Sequence, residues 1–369
     1  MLKKRVFATL LAGAMVAGLA GCGSAAAPAA SGSTSASSAK AESTAAASTS
    51  AEAEAPAEGT KDYKIGLSIM ELTAYTWFQG VAEGANQWQE ENGAANGVNF
   101  TFDVEDSHSD VQTMLTNLEN MQAAGCNGII VAPADASSAI PTLKEAVGNG
   151  IPCVVVDYRQ DTQDPDDMVW STFVGHDMTA LGKRAGDAAV EYLDTLGKDD
   201  PTLLFITVPQ SGQTSADRFN GFKETVLAKY PNAKIIEEGD TGAHTRDSEQ
   251  TLMENVLQRE SSIDVVCGHN DAEVVGAYNA AKAQGRTDMK FIGIAGDKDV
   301  LTWLQDGDEQ WIGEVLQDPV VLGYQATDAM YRTLVKGEEL PDDYELPEPE
   351  LITKENIADY DWQNWAWLG

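Results

Sequence analysis

Residues Tyr63–Trp88 read YKIGLSIMELTAYTWFQGVAEGANQW. Ile65, Leu67 and Ile69 mark a short buried strand. A polar and aromatic turn follows, and then Phe78, Val81, Ala82, Ala85 and Trp88 recur at helical spacing. A strand that feeds a helix through a ligand-sized loop is the opening unit of an open α/β sheet. In such sheets ligands bind beyond the carboxyl ends of the strands. Tyr75, Trp77 and Phe78 stand at that end, so the stretch predicts a small-molecule cleft whose first wall is aromatic.

Downstream the alternation continues. VNFTFDV (98–104) reads as a second strand, and the helix after it takes Ser109 as its N-cap with Gln112 at the capping-box position. Val111, Leu115, Leu118 and Met121 give that helix an apolar stripe, and Gly125 ends it. CNGIIVAP is a third strand, ASSAIPTLKEAVGNG a helix, and IPCVVVDYRQ a fourth strand whose end carries Asp157 and Arg159. An extended segment over 169–174 closes the unit. The pattern then restarts: a helix over Met178–Leu196, strands at 202–208 (TLLFITV), AKIIEE, IDVVCGHND and KFIGIAG, with helices between them. A strand over Gln310–Leu316 and a long helix ending near Gly337 come last. Strands alternating with helices predict parallel sheets joined by right-handed crossovers. The restart predicts two Rossmann-like lobes with a cleft between them. Trp362, Trp365 and Trp367 in the tail are too apolar for solvent and are expected to pack back on a lobe.

The chain has 369 residues, enough for two domains with their own cores. Its formal charge of −34 argues against nucleic acid, whose phosphates need Lys and Arg. At the N-terminus, Lys3, Lys4 and Arg5 precede an apolar run over Val6–Ala20, shorter than the ~20 residues of a membrane span. The run fits a secretory signal over 1–21. Leu19-Ala20-Gly21-Cys22 resembles a bacterial lipobox, which implies cleavage before Cys22 and lipid on it. Residues 22–60 then form a tether with almost no large apolar residue, composed to stay disordered. Cys126, Cys153 and Cys267 sit beside or inside expected strands at spacings that match no zinc pattern. They are expected as buried free thiols, with a Cys126–Cys153 bridge as the alternative.

No GxSxG, P-loop, HExxH or dinucleotide fingerprint occurs, and the four histidines are scattered. Neither an enzyme nor a resident metal or cofactor is expected. His269-Asn270-Asp271 can be read as a metal or acid–base cluster, but it ends a strand and opens a helix, which favours a binding loop or an N-cap. The side chains left at strand ends are Tyr75, Trp77, Phe78, Asp157 and Arg159 in the first half, and Arg218, His244, Asn270 and Asp271 in the second. Gln317 and Asp318 lie in the late connection. These types suit a sugar: Asp accepts, Arg donates in a planar fork, Asn does both, and aromatic rings cover C–H faces. Asp157 with Arg159 also reads as a surface ion pair, Arg218 as a solvated helix residue, and one of Trp77 and Phe78 as core; His244 is balanced between site and surface.

The motifs KIGLSIMELTAYTWFQGVAEGA, GCNGIIVAPADASS, IPCVVVDYRQ, VGHDMTALGKRAGDAA, TSADRFNGF, VVCGHNDAEVVGAYNA and FIGIAGDKDV, in that order, resemble the type I periplasmic sugar-binding proteins. Ribose-, galactose/glucose- and xylose-binding proteins belong to that family, as do the ligand domains of LacI-type repressors. The resemblance covers about Lys64 to Ile357. It places ligand contacts on Tyr75, Trp77, Phe78, Asp157, Arg159, Arg218, Asn270 and the hinge residue Gln317. Where many members carry a binding Asp, this chain has Ala295, and Asp297 is the candidate substitute. The resemblance also implies three interlobe crossings, near Gly175, Gln317 and Leu346. The N-terminal lobe is then 61–175 plus 318–345, and the C-terminal lobe 176–317 plus 346–369. The implied protein is a monomeric, lipid-anchored solute-binding protein of the cell membrane that delivers a sugar to an ABC importer's permease. A ligand-sensing partner of a membrane receptor, or a binder of nucleosides or polyols, is the alternative.

Overall fold

A computed structural model of the chain describes residues 59–73, 75–159, 169–239, 242, 244–344 and 346–368. The expected signal segment, Cys22 and the tether up to residue 58 lie outside the described residues. Among the described residues no helix is long and apolar enough to cross a membrane.

The first sheet holds β1 (Lys61–Ile69), β2 (Val98–Asp106), β3 (Gly128–Val131), β4 (Cys153–Val156) and β5 (Thr172–Val174), in the order β2-β1-β3-β4-β5. Every neighbouring pair is parallel. β3 (GIIV) and β4 (CVVV) are buried along their whole length, as runs without polar alternation require when both faces of a parallel sheet are covered. The cover comes from α1 (Gln79–Asn96), α2 (Val111–Ala123) and α3 (Ala136–Gly148). α1 ends on Gly97, which takes the left-handed conformation at φ +66°. α2 differs from expectation at its start. Ser109 is itself left-handed (φ 55°), and the cap is Asp110, whose carboxylate accepts from Thr113 N. The buried face of α2 also turns on Met114 rather than on Val111 and Leu115.

The second sheet is built from β6 (Thr202–Thr207), β7 (Lys234–Gly239), β8 (Val265–Gly268), β9 (Lys290–Ala295), β10 (Trp311–Leu316) and β11 (Leu351–Ile352), in the order β11-β10-β9-β8-β6-β7. All pairs are parallel except β10 with β11. Its helices are α4 (Met178–Leu196), α5 (Gln213–Lys229), α6 (Arg246–Arg259), α7 (Asp271–Ala283) and α8 (Lys298–Asp306). α9 (Pro319–Leu334) returns to the first sheet and lies along α1. The chain therefore passes between the sheets at 175–177, at 317–318, and between Tyr344 and β11. Before the last passage, Phe173 N donates to Asp342 O and Tyr344 N to Phe173 O, both at 2.8 Å, so the returning chain lines the edge of β5.

Both lobes contain helix pairs packed backbone to backbone. On α1 and α9, a Cβ added at Gly84 would stand 1.9 Å from Val320 O, and one at Gly323 1.9 Å from Val81 O. On α4 and α5, a Cβ at Gly182 would stand 1.9 Å from Arg218 O, and one at Gly221 2.2 Å from Thr179 O. The tail tryptophans do pack back. Trp362 and Trp367 are buried, and Trp365 stacks on Trp367 with ring centroids 5.1 Å apart. Trp367 reaches both sides: a Cβ at Gly80 of α1 would meet its Cδ1 at 3.0 Å, and one at Gly296, after β9, its Cη2 at 2.9 Å. Cys126, Cys153 and Cys267 are free and buried, and burial pushes the Cys153 thiol up to about 12.

Candidate functional site

The carboxyl ends of β1, β4, β6 and β8 face a gap between the two lobes. β1 delivers the aromatic loop, in which Tyr75 and Trp77 stack with centroids 6.2 Å apart. Trp77 is buried, and its Nε1 donates to Gln317 O at 3.0 Å, which ties the loop to the passage between β10 and α9. Tyr75 stays 48% exposed, so its ring remains open to a ligand.

β4 delivers Asp157, held in the left-handed conformation at φ 66° and 8% exposed. Aspartate tolerates that backbone better than most residues, yet it remains strained, and strain of this kind gathers at binding sites. Burial pushes the Asp157 carboxyl up to about 7, and the Arg218 charge partly opposes the shift. From the other lobe, α5 delivers Arg218, 3% exposed. Its Nη1 donates to His269 O and Asn270 Oδ1, and its Nη2 to Gln317 Oε1 at 2.8 Å. Asn270, at the end of β8, also caps α7 through a capping box with Glu273.

Of the residues expected from sequence, Tyr75, Trp77, Asp157, Arg218, Asn270 and Gln317 surround this one gap. Four others do not. Phe78 is 1% exposed and belongs to the core under α1, because adjacent residues at a helix start face different ways. Arg159 lies on an outer groove, paired with Asp343 and stacked 4.7 Å over the Phe173 ring. His244 turns away, with Nε2 2.8 Å from Gln210 Oε1. Asp297 caps α8 and pairs with Arg246 at 2.6 Å, on an adjoining cavity of about 530 Å³ that shares Tyr75, Trp77 and Asn270 with the gap.

Tyr158, Met178, Thr214 and His269 complete the lining; His269 was read only as part of a binding loop, and the other three were missed. His269 and Tyr158 adjoin residues that were chosen, so strand-end position could have found them. Met178 and Thr214 open helices in the second lobe, and nothing in their local sequence marks them. The gap measures only about 30 Å³. A water needs ~10–15 Å³ by that measure, so the gap holds little more than water, and larger cavities of about 530 and 620 Å³ adjoin it on either side through shared wall residues.

Two parallel α/β lobes, three passages between them and a polar gap at the strand ends define a two-lobed solute-binding protein of the type I periplasmic class. Residues 65–339 match the periplasmic binding protein domain family, and the chain belongs to it. It is 29% identical over 306 residues to a xylitol-binding protein of Mycolicibacterium smegmatis, covering 80% of this chain and 78% of that one. It is 25% identical over 270 residues to the ribose import binding protein RbsB of Bacillus subtilis, covering 73% and 81%. A periplasmic ribose ABC transporter structure from Conexibacter woesei superposes with a TM-score of 0.69 at 21% identity, covering 82% of this chain and 95% of that one, and shares the fold.

Proposed function

We propose that this chain is the extracytoplasmic solute-binding component of an ABC importer, and that it takes a neutral sugar or polyol between its lobes. One observation carries the reading. Arg218, buried on the second lobe and bonded to Asn270 and Gln317, faces Asp157 and the stacked Tyr75–Trp77 pair of the first. A cationic fork, a carboxylate, amides and aromatic faces are the complement of a polyhydroxylated carbon chain. The names of the xylitol- and ribose-binding relatives support the same class of ligand. Binding works by closure: contacts from both lobes favour the closed form only as far as the ligand binds it better than the open one. The passages at 175–177 and 317–318 absorb the rotation. The lipobox-like run ending at Cys22 supports attachment to the membrane through an N-terminal lipid.

The test is a thermal-shift panel of pentoses, hexoses, polyols and nucleosides on the purified protein. A ligand that binds only the folded state raises Tm by mass action, and a sugar or polyol is expected to do so. Stabilisation by nucleosides alone, or conversion of a ligand into product, would overturn the reading. For the anchor, Cys22→Ala is expected to move the protein from the membrane fraction to the medium or periplasm, and retention in the membrane would refute it.

A further inference from the structure

The cavity of about 530 Å³ beside the gap is large enough to matter to the ligand's size. Its volume lies within the ~300–1,000 Å³ of pockets that hold a whole small molecule. It opens off the gap along Tyr75, Trp77 and Asn270, which line both spaces. Its floor is the chain after β9, where Ala295 presents only a methyl group, and Trp367 of the tail bounds it on another side.

The floor is fixed from below. Asp271 Oδ2 accepts from Gly296 N at 3.1 Å and from Asp297 N at 2.9 Å, and Glu314 Oε1 accepts from Gly296 N at 2.6 Å. Both carboxyl groups are buried, at 3% and 0% exposure. Ala295 is held at φ 153° and Gly296 at φ 117°. A non-glycine residue at such a φ is strained, and it persists only where its surroundings over-determine it. The cavity therefore stands on a rigid loop that keeps its shape when the lobes close.

Its chemistry repeats that of the gap. Arg246 donates through Nη1 to Asp299 at 2.5 Å and through Nη2 to Asp297 at 2.6 Å, and all three line the cavity. A carboxylate offers about four lone-pair sites, so both aspartates keep acceptors for ligand hydroxyls. The Asn270 amide and the half-exposed Tyr75 ring add a polar group and an aromatic face. The cavity of about 620 Å³ on the gap's other side differs. Asp177, Asp217 and Glu348 line it, Arg159 there is already paired with Asp343, and the passages that absorb the lobe rotation form its walls.

We propose that the ligand is a saccharide of two units, with one end at Tyr75 and Asn270 and the second unit over Ala295 against Arg246, Asp297 and Asp299. The inference rests on the reading of the gap as a sugar or polyol site. It sets the size of that ligand and the residues that select it.

The test is calorimetric titration of the purified protein with paired probes: glucose against maltose and cellobiose, galactose against lactose, xylose against xylobiose, and xylitol against maltitol. At least one two-unit probe is expected to bind about 10-fold or more tightly than its one-unit counterpart, as added hydrogen bonds to charged groups would give. Ala295→Leu, which fills the floor, and Arg246→Met, which removes the fork, are each expected to cut that advantage at least about 5-fold. Should Ala295→Leu disturb folding at its strained position, Arg246→Met on a partly exposed residue still decides the matter. Two-unit probes that bind no more tightly than their counterparts, or an advantage unchanged in both variants, would overturn the inference and leave the sugar or polyol reading standing. Binding of none of these probes would overturn both.

Discussion

At the scale of single residues the site rests on Arg218 and Asp157. Arg218 makes its bonds through a planar fork that a lysine cannot reproduce. Arg218→Lys is therefore expected to weaken ligand binding by about 1–3 kcal/mol, some 5- to 150-fold, while the protein stays folded; unchanged affinity in calorimetry would remove Arg218 from the site. Asp157 sets a pH dependence. Its folded pKa, about 7, lies above the ordinary 3.8, so the folded state holds the proton more tightly than the unfolded chain. Its contribution to stability is consequently full below about pH 4 and is lost as pH rises through 7. Binding has the opposite sign, because ligand hydroxyls that donate to Asp157 favour the ionised carboxylate. Affinity is expected to rise between pH 6 and 8 and to flatten in Asp157→Asn. A fall in affinity over that range would mean that the protonated acid is the binding form.

The helix pairs govern the element scale. Gly323→Ala forces a Cβ into the Val81 carbonyl and pushes α9 off α1. Overpacking of this kind costs about 1–3 kcal/mol, read as a lowered denaturant midpoint. Gly182→Ala makes the same intrusion against Arg218 O, so it is expected to lower ligand affinity as well as stability, whereas Gly323→Ala changes mainly stability. Most elements were legible in the sequence because buried parallel strands are written as unbroken β-branched runs such as GIIV and CVVV. The cap of α2 was not. Ser109 and Asp110 are both good capping residues, and only the left-handed turn at His108 and Ser109 hands the role to Asp110. The site was partly legible for a similar reason. Asp157 follows a strand end and Asn270 sits where a loop opens a helix, while Arg218 lies a turn and a half into α5. His244 also follows a strand, but its direction depends on a backbone turn that composition does not specify. Met178 and Thr214 enter the gap only because α4 and α5 converge there.

On the scale of the whole molecule, the lobes are tied near their passages by His176 Nε2 with Asp318 O at 3.2 Å and by Trp77 with Gln317 O. Trp367 adds a strut from α1 to the Gly296 loop, and Thr76 Oγ1 donates to its carbonyl at 2.9 Å. Deleting residues 362–369 is expected to shift the ligand-free protein toward the open form, read as a larger radius of gyration in solution scattering that ligand reverses. An unchanged radius would leave the strut without a role in closure.

Asp157 has a consequence beyond binding. Its left-handed backbone suits glycine or asparagine better, and its buried charge opposes folding near neutral pH. Neither feature is required by β4, whose core residues precede it. A library randomised at position 157 and selected only for heat resistance should therefore drift to Gly or Asn. Selection for growth on the transported solute should restore Asp. The position thus records which pressure the lineage has been under, since the residue that holds the ligand is one that folding alone would discard.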